Sequence, residues 1–499
     1  MKPNLSINLA IIQPQGYVHS LGFLDFARYF RYQFRRLGAE VSISKNRLRE
    51  DAVNFVFGAH LGFPQEWGQR NPCVFVNLEQ LGAGGAQVDP AYLALLARSP
   101  VVDYDRANVA AYTRDVKAVP IFSFGYAPYL EPADPMPLED RPIDLLFIGS
   151  INPRRQQFIA RVEAAGAKVS LFDHALYGPE RDHYVLQSKA MLNCHFYESN
   201  RFEQARAFHC LSLGTPVISE RTARTRPGVA FEDSVIWLPE NAMGDYFSQT
   251  FGKPAYYEQA RRGLAKFRQS DEARDTLKSF ASLLDYAAQS LHEHRQSHPR
   301  QVWRPRAIHL GSGKDYKPNW LNLDILDRAM PDLVLDLARP LTLPLEMASR
   351  LGGTVRLERG AVDRIYANNV LEHVPDLPML MTNALSLLSE AGEFHIEVPY
   401  EKALTAWQDP THLRAMNENS WIYYTDWFWY LGWFTHRFEV VQSVWLDTGL
   451  KPCAQPQAAF MRMVLRKIAT TPQERNTART MQADFGGQAD DLVVAPTPV

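Results

Sequence analysis

Cysteine is scarce. The four present, Cys73, Cys194, Cys210 and Cys453, lie far apart in 499 residues. They make neither a disulfide framework nor a CxxC metal pair, so a reducing compartment is expected. Long apolar runs are missing as well. Near the start, Leu9–Ile12 is bounded by Asn8 and Gln13-Pro14. A signal-peptide core needs about 7–15 apolar residues and a membrane span about 20. The expectation is a cytoplasmic chain with no transmembrane segment; peripheral membrane contact stays open. Excess charge is also lacking. Lys+Arg 53 against Asp+Glu 55 leaves −2, which removes the electrostatic case for bulk nucleic-acid binding. What is present is a hydrophobic share of 46%, enough for globular cores and too much for a mainly disordered chain. At about 100–200 residues per domain, the length predicts two to four domains.

From Ile7 to about Ala288, short β-type runs alternate with helical patterns. Strands are expected at 7–12, 41–44, 53–57, 73–78, 101–104 and 119–122, and a helix at 21–37, where Phe23, Phe26, Phe30 and Phe34 fall at helical steps. A proline-rich link, Pro132–Pro137, precedes a second cycle: strand 144–150, helix 154–165, strand 168–172, strand 190–197, helix 203–213 and strand 216–219. Strand–helix alternation implies parallel sheets. The reading is an α/β chain with two facing halves, 1–138 and 139–290, whose cleft binds ligand at the carboxyl ends of the strands. Residues 291–306, polar and basic, read as a solvated linker. A third α/β domain is expected over 307–468, with strands at 307–310, 321–324, 333–337, 362–367 and 393–399, a helix at 379–388, and an antiparallel end pair at 438–446 and 459–467. The segment 469–499, poor in apolar residues, reads as a disordered tail.

In the third domain, His309-Leu310-Gly311-Ser312-Gly313 puts glycines directly after a strand, where they allow a sharp turn and close approach to a ligand. Asp324 ends the next strand, where a carboxylate can accept two ribose hydroxyls. Asp336-Leu337, Asn368–Val374 (NNVLEHV) and Gly392–Pro399 follow in order, then Asp409-Pro410-Thr411-His412. This series resembles the class I S-adenosylmethionine-dependent methyltransferases, most of all those with a short glycine turn, a "vLEHv" motif and a later "DPTH" segment. The resemblance covers about 306–467. It implies a Rossmann-like domain in which Leu310, Gly311, Ser312 and Gly313 line the methionine part of the cofactor. Asp324 would bind the ribose, Asp336 would lie near the adenine, and Asn368 and Asn369 would face the cofactor. The 11 residues from Gly313 to Asp324 fall short of the roughly 20 of a dinucleotide-type turn and helix. With Pro318 among them, the first helix must be short or missing. His412 is the candidate proton acceptor for a substrate hydroxyl; the plainer reading is a histidine bonded to backbone. Glu372-His373 looks like a metal pair, but neighbours on a helix do not share a face, so they read as orienting the helix start and no metal is expected. The aromatic stretch 421–434 reads as a packed cap or domain interface, with sugar stacking as the sharper alternative.

In the second half, Phe147–Arg155 (FIGSINPRR) ends a strand in Gly149-Ser150 and starts a helix near Pro153. Free N–H groups there, with Arg154 and Arg155, suit a diphosphate. Tyr197, Glu203, Arg206 and Glu220 follow around Gly214-Thr215-Pro216. Glu203 is read as a ribose acceptor and Arg206, a turn later, as a phosphate partner. The pattern resembles GT-B glycosyltransferases with an "E-x-x-R … G-x-P-V-I-S-E" donor segment, over about 7–288. It departs from the common family with two glutamates eight apart, because position 211 is Leu211. The resemblance implies a nucleotide-sugar donor held by Gly149, Ser150, Arg154, Arg155, Tyr197, Glu203, Arg206 and Glu220. His60 is the preferred catalytic base, with His19 and Glu79 as others. Asp103-Tyr104-Asp105 has DxD spacing but lies in the wrong half, so metal-independent transfer is expected. The pairing implies a bifunctional glycosyltransferase and methyltransferase of bacterial surface polysaccharide assembly, acting on a glycan or lipid-linked glycan. The alternative is a methyltransferase whose GT-B-like part only binds glycan.

Overall fold

The computed structural model describes residues 5–174, 176–272 and 275–482. They form two compact units, divided between Arg300 and Gln301. Among the described residues, no helix is long and apolar enough to cross a membrane.

The first unit holds two five-stranded sheets. One contains β1 (Ser6–Ile11), β2 (Glu40–Lys45), β3 (Val53–Phe57), β4 (Cys73–Asn77) and β5 (Val101–Asp103), in the order β2-β1-β3-β4-β5. The other contains β6 (Ile143–Ile148), β7 (Val169–Phe172), β8 (Ser188–Asn193), β9 (Val217–Glu220) and β10 (Ile236–Leu238), in the order β10-β9-β8-β6-β7. Every pairing is parallel. Both sheets therefore run 2-1-3-4-5, the doubly wound order whose ligand crevice opens between first and third strands. β3 and β4 are buried at every position and apolar except for Asn54 and Asn77, as strands covered on both faces must be, and both asparagines are hydrogen-bonded. The helix Phe23–Arg36 turns Phe30 and Phe34 onto Phe55, and Phe280 packs across the same two rings.

The structure corrects four expectations. Residues 119–122 form no strand, only a single bridge from Ile121 to Asp103; Pro120 has no N–H to extend the ladder. The strand expected through Tyr197 stops at Asn193. The linker does not begin at Leu291, because the helix Asp275–Ser297 continues through it. Leu291 completes a buried stripe with Leu283 and Ala287, and His294 and Arg295 fall in the last turn, where positive charge suits the helix dipole. The tail is not disordered from 469: Pro472–Gln482 is a helix. Thr471 and Glu474 cap it reciprocally, Thr471 N–H to Glu474 Oε2 at 2.7 Å and Glu474 N–H to Thr471 Oγ1 at 3.2 Å, which is a capping box. Ala478 is fully buried. Residues 483–499 lie outside the described residues.

The second unit is built on a seven-stranded sheet: β11 (Ala307–Leu310), β12 (Leu321–Asp324), β13 (Leu333–Val334), then, past a two-stranded hairpin of β14 (Leu345–Ala348) and β15 (Thr354–Leu357), β16 (Val362–Asn368), β17 (Leu388–Pro399), β18 (His436–Leu446) and β19 (Phe460–Ala469). The order is β13-β12-β11-β16-β17-β19-β18. β19 runs antiparallel to both neighbours, and the other pairings are parallel. Beside the sheet lies the helix Leu377–Leu387. From the aromatic stretch, Trp421, Tyr424, Phe428 and Trp433 join the core, while Tyr423, Trp427 and Tyr430 remain exposed.

Candidate functional site

Strand order reverses at β11 and β16 in the second unit: β12 and β13 continue to one side, β17 to the other. Loops leaving the carboxyl ends of β11 and β16 diverge there and leave a crevice. The turn after β11 has Gly311 at φ +63° and Gly313 at φ +49°, both left-handed. Asp324, at the end of β12, holds this turn. Its Oδ2 accepts the Gly313 N–H and its Oδ1 the Leu326 N–H, each at 2.8 Å. The carboxylate is 7% exposed, and each oxygen keeps a lone pair for a further donor.

The two glycines differ in purpose. A Cβ on Gly311 would fall 2.3 Å from Val370 Cγ2, so this glycine makes room for the Val370 side chain. A Cβ on Gly313 would meet nothing closer than the Gly311 carbonyl oxygen at 4.0 Å, so the open space lies there. Leu310 and Ser312 are buried, and the Ser312 hydroxyl has no partner. Asp336 accepts the Ala338 N–H at 2.8 Å and pairs with Arg339 at 3.4 Å. Asn368 is exposed, and Asn369, at φ +50°, donates its N–H to Glu397 O at 2.9 Å. No helix stands between β11 and β12, so the β11–β12 connection offers no helix N-terminus to receive a phosphate. Sequence reasoning missed Ile325 and Leu326, which are 64% and 45% exposed immediately after Asp324. The signal was an apolar pair directly following the acidic strand end.

His412 faces inward. Its Nδ1 lies 2.8 Å from Ala406 O, the backbone bond of the plainer reading, and its Nε2 lies 4.0 Å from Glu372 Oε1. Glu372 is 1% exposed, and burial pushes its carboxyl above the usual range. His373 belongs to the same cluster, ring to ring with His412 at 4.7 Å.

In the first unit, a cavity of about 340 Å³ is lined from both sheets. Gly149, Ser150, Glu203 and Arg206 border it, as do His19, Asp25 and Gln80 from the other half. Arg154, Arg155, Tyr197, Glu220 and His60 do not. The arginines and Glu220 are ion-paired. Arg154 is bidentate on Glu220, at 2.9 and 2.5 Å, and also donates to His195 O. Arg155, 3% exposed, reaches Glu203 Oε1 at 2.6 Å and the carbonyls of Ser150 and Cys194. Arg206 takes Glu203 Oε2 at 3.0 Å. Burial opposes ionisation of Glu203, but Arg206 and Arg155 outweigh it and hold the carboxyl below its usual range. Glu203, the expected ribose acceptor, is thus paired with two arginines while bordering the cavity, and Arg154 and Arg155, the expected diphosphate partners, are paired with glutamates. Arg206 keeps 22% side-chain exposure and lies against Gly149, where a Cβ would come within 3.0 Å of Nη2.

His60 pairs with Glu79 at 3.4 Å between the rings of Phe23 and Tyr92, and burial lowers its pKa. His19, the second choice, is the histidine on the cavity wall nearest Tyr177, with Nδ1 2.8 Å from the tyrosine hydroxyl. No sequence signal pointed to Arg181 there, which bridges Asp25 at 2.6 Å and Asp182 at 2.7 Å.

No protein-family model matches the chain, and no curated protein matches it in sequence. Among solved structures it is similar to an S-adenosylmethionine-dependent methyltransferase from Archaeoglobus fulgidus, at 14% identity over 35% of this chain and 91% of that one, with TM-score 0.23. A second, from Mesorhizobium loti, is 15% identical over 32% and 90%, with TM-score 0.20. A 16S rRNA (adenine(1408)-N(1))-methyltransferase from Catenulisporales acidiphilia is 15% identical over 33% and 88%, with TM-score 0.21.

Proposed function

We propose that the second unit binds S-adenosylmethionine and transfers its methyl group to a substrate held nearby. The observation that carries this is the Asp324 carboxylate clamping the Gly313 turn at the strand-order reversal of a sheet that offers no helix N-terminus between β11 and β12. A nucleoside without phosphate fits that chemistry, and a dinucleotide does not. Asp324 would accept the ribose hydroxyls on its spare lone pairs. The open side of Gly313 would take the amino-acid part, and Ile325 and Leu326 would cover the base. When bound, the cofactor supplies an electrophilic methyl group. The protein contributes alignment of nucleophile and methyl carbon, from which most of the acceleration of such a transfer comes.

The first unit, in this reading, binds an activated sugar in its 340 Å³ cavity, with Arg206 as the cation facing it, and passes the sugar to a glycan that the second unit methylates. A second reading is favoured by the pairing of Arg154 and Arg155 with Glu220 and Glu203: the cavity binds glycan without turnover. Calorimetry on the full chain separates the two. S-adenosylhomocysteine should bind, and Asp324→Ala should weaken it by about 1–3 kcal/mol, the cost of stranding buried hydroxyls. A uridine diphosphate probe should bind and lose affinity in Arg206→Ala with methyl transfer intact. Silence toward a panel of nucleoside diphosphates selects the glycan-binding reading, and unchanged cofactor affinity in Asp324→Ala removes the ribose assignment.

A further inference from the structure

We infer that Glu372, His373 and His412 form a binding site for a divalent transition cation of the zinc type, between the turn that follows β16 and the loop that follows β17. The two segments are locked together, Leu413 N–H donating to Glu372 O at 2.8 Å. One ligand atom from each of the three side chains lies within 4.8 Å of the other two.

Two independent features point to a cation. The first is Glu372 itself. It is 1% exposed, and neither carboxylate oxygen has a hydrogen-bond partner. A buried carboxylate is normally paired, hydrogen-bonded or on a metal.

The second is the state of the two imidazoles. His412 Nδ1 is 2.8 Å from the Ala406 carbonyl, which can only accept, so Nδ1 carries a proton and Nε2 is the nitrogen turned toward Glu372 Oε1, at 4.0 Å. His373 Nδ1 is 3.2 Å from Thr411 O and 3.0 Å from Thr411 Oγ1. The Thr411 hydroxyl already donates to Asp409 Oδ1 at 2.7 Å, so it too offers only lone pairs, and His373 Nδ1 likewise carries a proton. One ring N–H held on a backbone carbonyl, with the other nitrogen bare, is how metal-binding histidines are oriented. His412 Nε2 and one ring nitrogen of His373 thus lie within 4.8 Å of a carboxylate oxygen that has no hydrogen-bond partner, an arrangement a bound cation would satisfy.

Two nitrogens and one oxygen suit zinc with a position left open, whereas magnesium and calcium take oxygen ligands. Tetrahedral zinc with bonds of about 2.1 Å needs ligands about 3.4 Å apart, so the widest pair must close by at most about 1.4 Å. His373 and His412 are only partly buried and give both the movement and the entry path. The inference is independent of methyl transfer. A cation held there uses the His412 lone pair, which makes His412 a ligand and not a proton acceptor.

The test uses the full chain, stripped with a chelator and titrated with Zn²⁺ alone, then with Co²⁺ for its visible d–d bands. One equivalent should bind tightly, and Mg²⁺ should not compete. Glu372→Gln and His412→Gln should each weaken Zn²⁺ at least about 100-fold, more than the loss of an outer partner costs. His298→Ala, which breaks the stacked His294–His298 pair elsewhere on the chain, should leave the tight equivalent in place. If a ligand variant fails to fold, X-ray absorption on the zinc-loaded wild type should count two imidazoles and one carboxylate. No stoichiometric binding would overturn the site, because a proton on Glu372 would then answer the unpaired carboxylate. Binding unaffected by either ligand variant, binding lost in His298→Ala, or a different ligand count would overturn it as well.

Discussion

Asp103 at the end of β5 shows how a residue can carry the spacing of one function and perform another. Its Oδ1 accepts from Asp105 N–H at 3.0 Å and Asn108 Nδ2 at 2.8 Å, its Oδ2 from Asn77 Nδ2 at 2.8 Å and the Tyr112 hydroxyl at 3.1 Å. Four donors satisfy it, so it organises the loop and holds no diphosphate metal. Burial, only partly offset by Asn108 and the other donors, raises its carboxyl from 3.8 to about 6. An acid raised in the fold binds its proton more tightly there than in the unfolded chain. The associated stability is therefore fully present below pH 4 and lost as pH rises through 6. Urea midpoints of wild type against Asp103→Asn should shift against the wild type between pH 4 and pH 7. The shift should reach about 3 kcal/mol at most. A pH-independent difference would contradict the assignment. The ion pairs of Glu203 and Glu220 were equally illegible in sequence. Arg154 and Arg155 are adjacent on one helix, and which glutamate each meets depends on β8 and β9 bringing distant segments alongside.

Among the elements, the β11–β12 turn is the most constrained. Gly311→Ala must hold a left-handed residue, costing about 1–2 kcal/mol, and must push Val370 aside, at about 1–3 kcal/mol for overpacking. A lower melting temperature and weaker S-adenosylhomocysteine binding are expected. Gly311→Ala/Val370→Ala should recover only the packing share. Full recovery would mean that the backbone conformation is not limiting. Strands such as 53–57 and 307–310 were readable because they are short apolar runs with clear ends. The hairpin of β14 and β15 was missed although its signal was there: alternating Leu345, Met347 and Val355, Leu357 around Gly352-Gly353. The helix 472–482 was missed because a polar segment reads as tail until its capping box and the buried Ala478 are seen.

At the scale of the whole chain, the hydrophobic clusters fall within one unit or the other: three within residues 7–291 and one within 308–478. Residues 1–300 and 301–482, expressed separately, should each unfold in a cooperative transition, with S-adenosylhomocysteine binding kept by the second. A second fragment that is a molten globule, or that binds nothing the full chain binds, would show that the units are not autonomous.

The sequence by itself determined the local hydrophobic periods, and through them the α/β class, the parallel strands and the glycine turn with its acid 11 residues on, because neighbours in the chain set those patterns. Only the tertiary structure decided which charges cancel and which stay bare. Arg154 and Arg155 are taken up by glutamates, while Glu372 is left without a hydrogen bond 4.0 Å from His412, 40 residues away. The physical reason is that electrostatic partners are chosen by distance in space and by exclusion of water, neither of which one-dimensional spacing encodes.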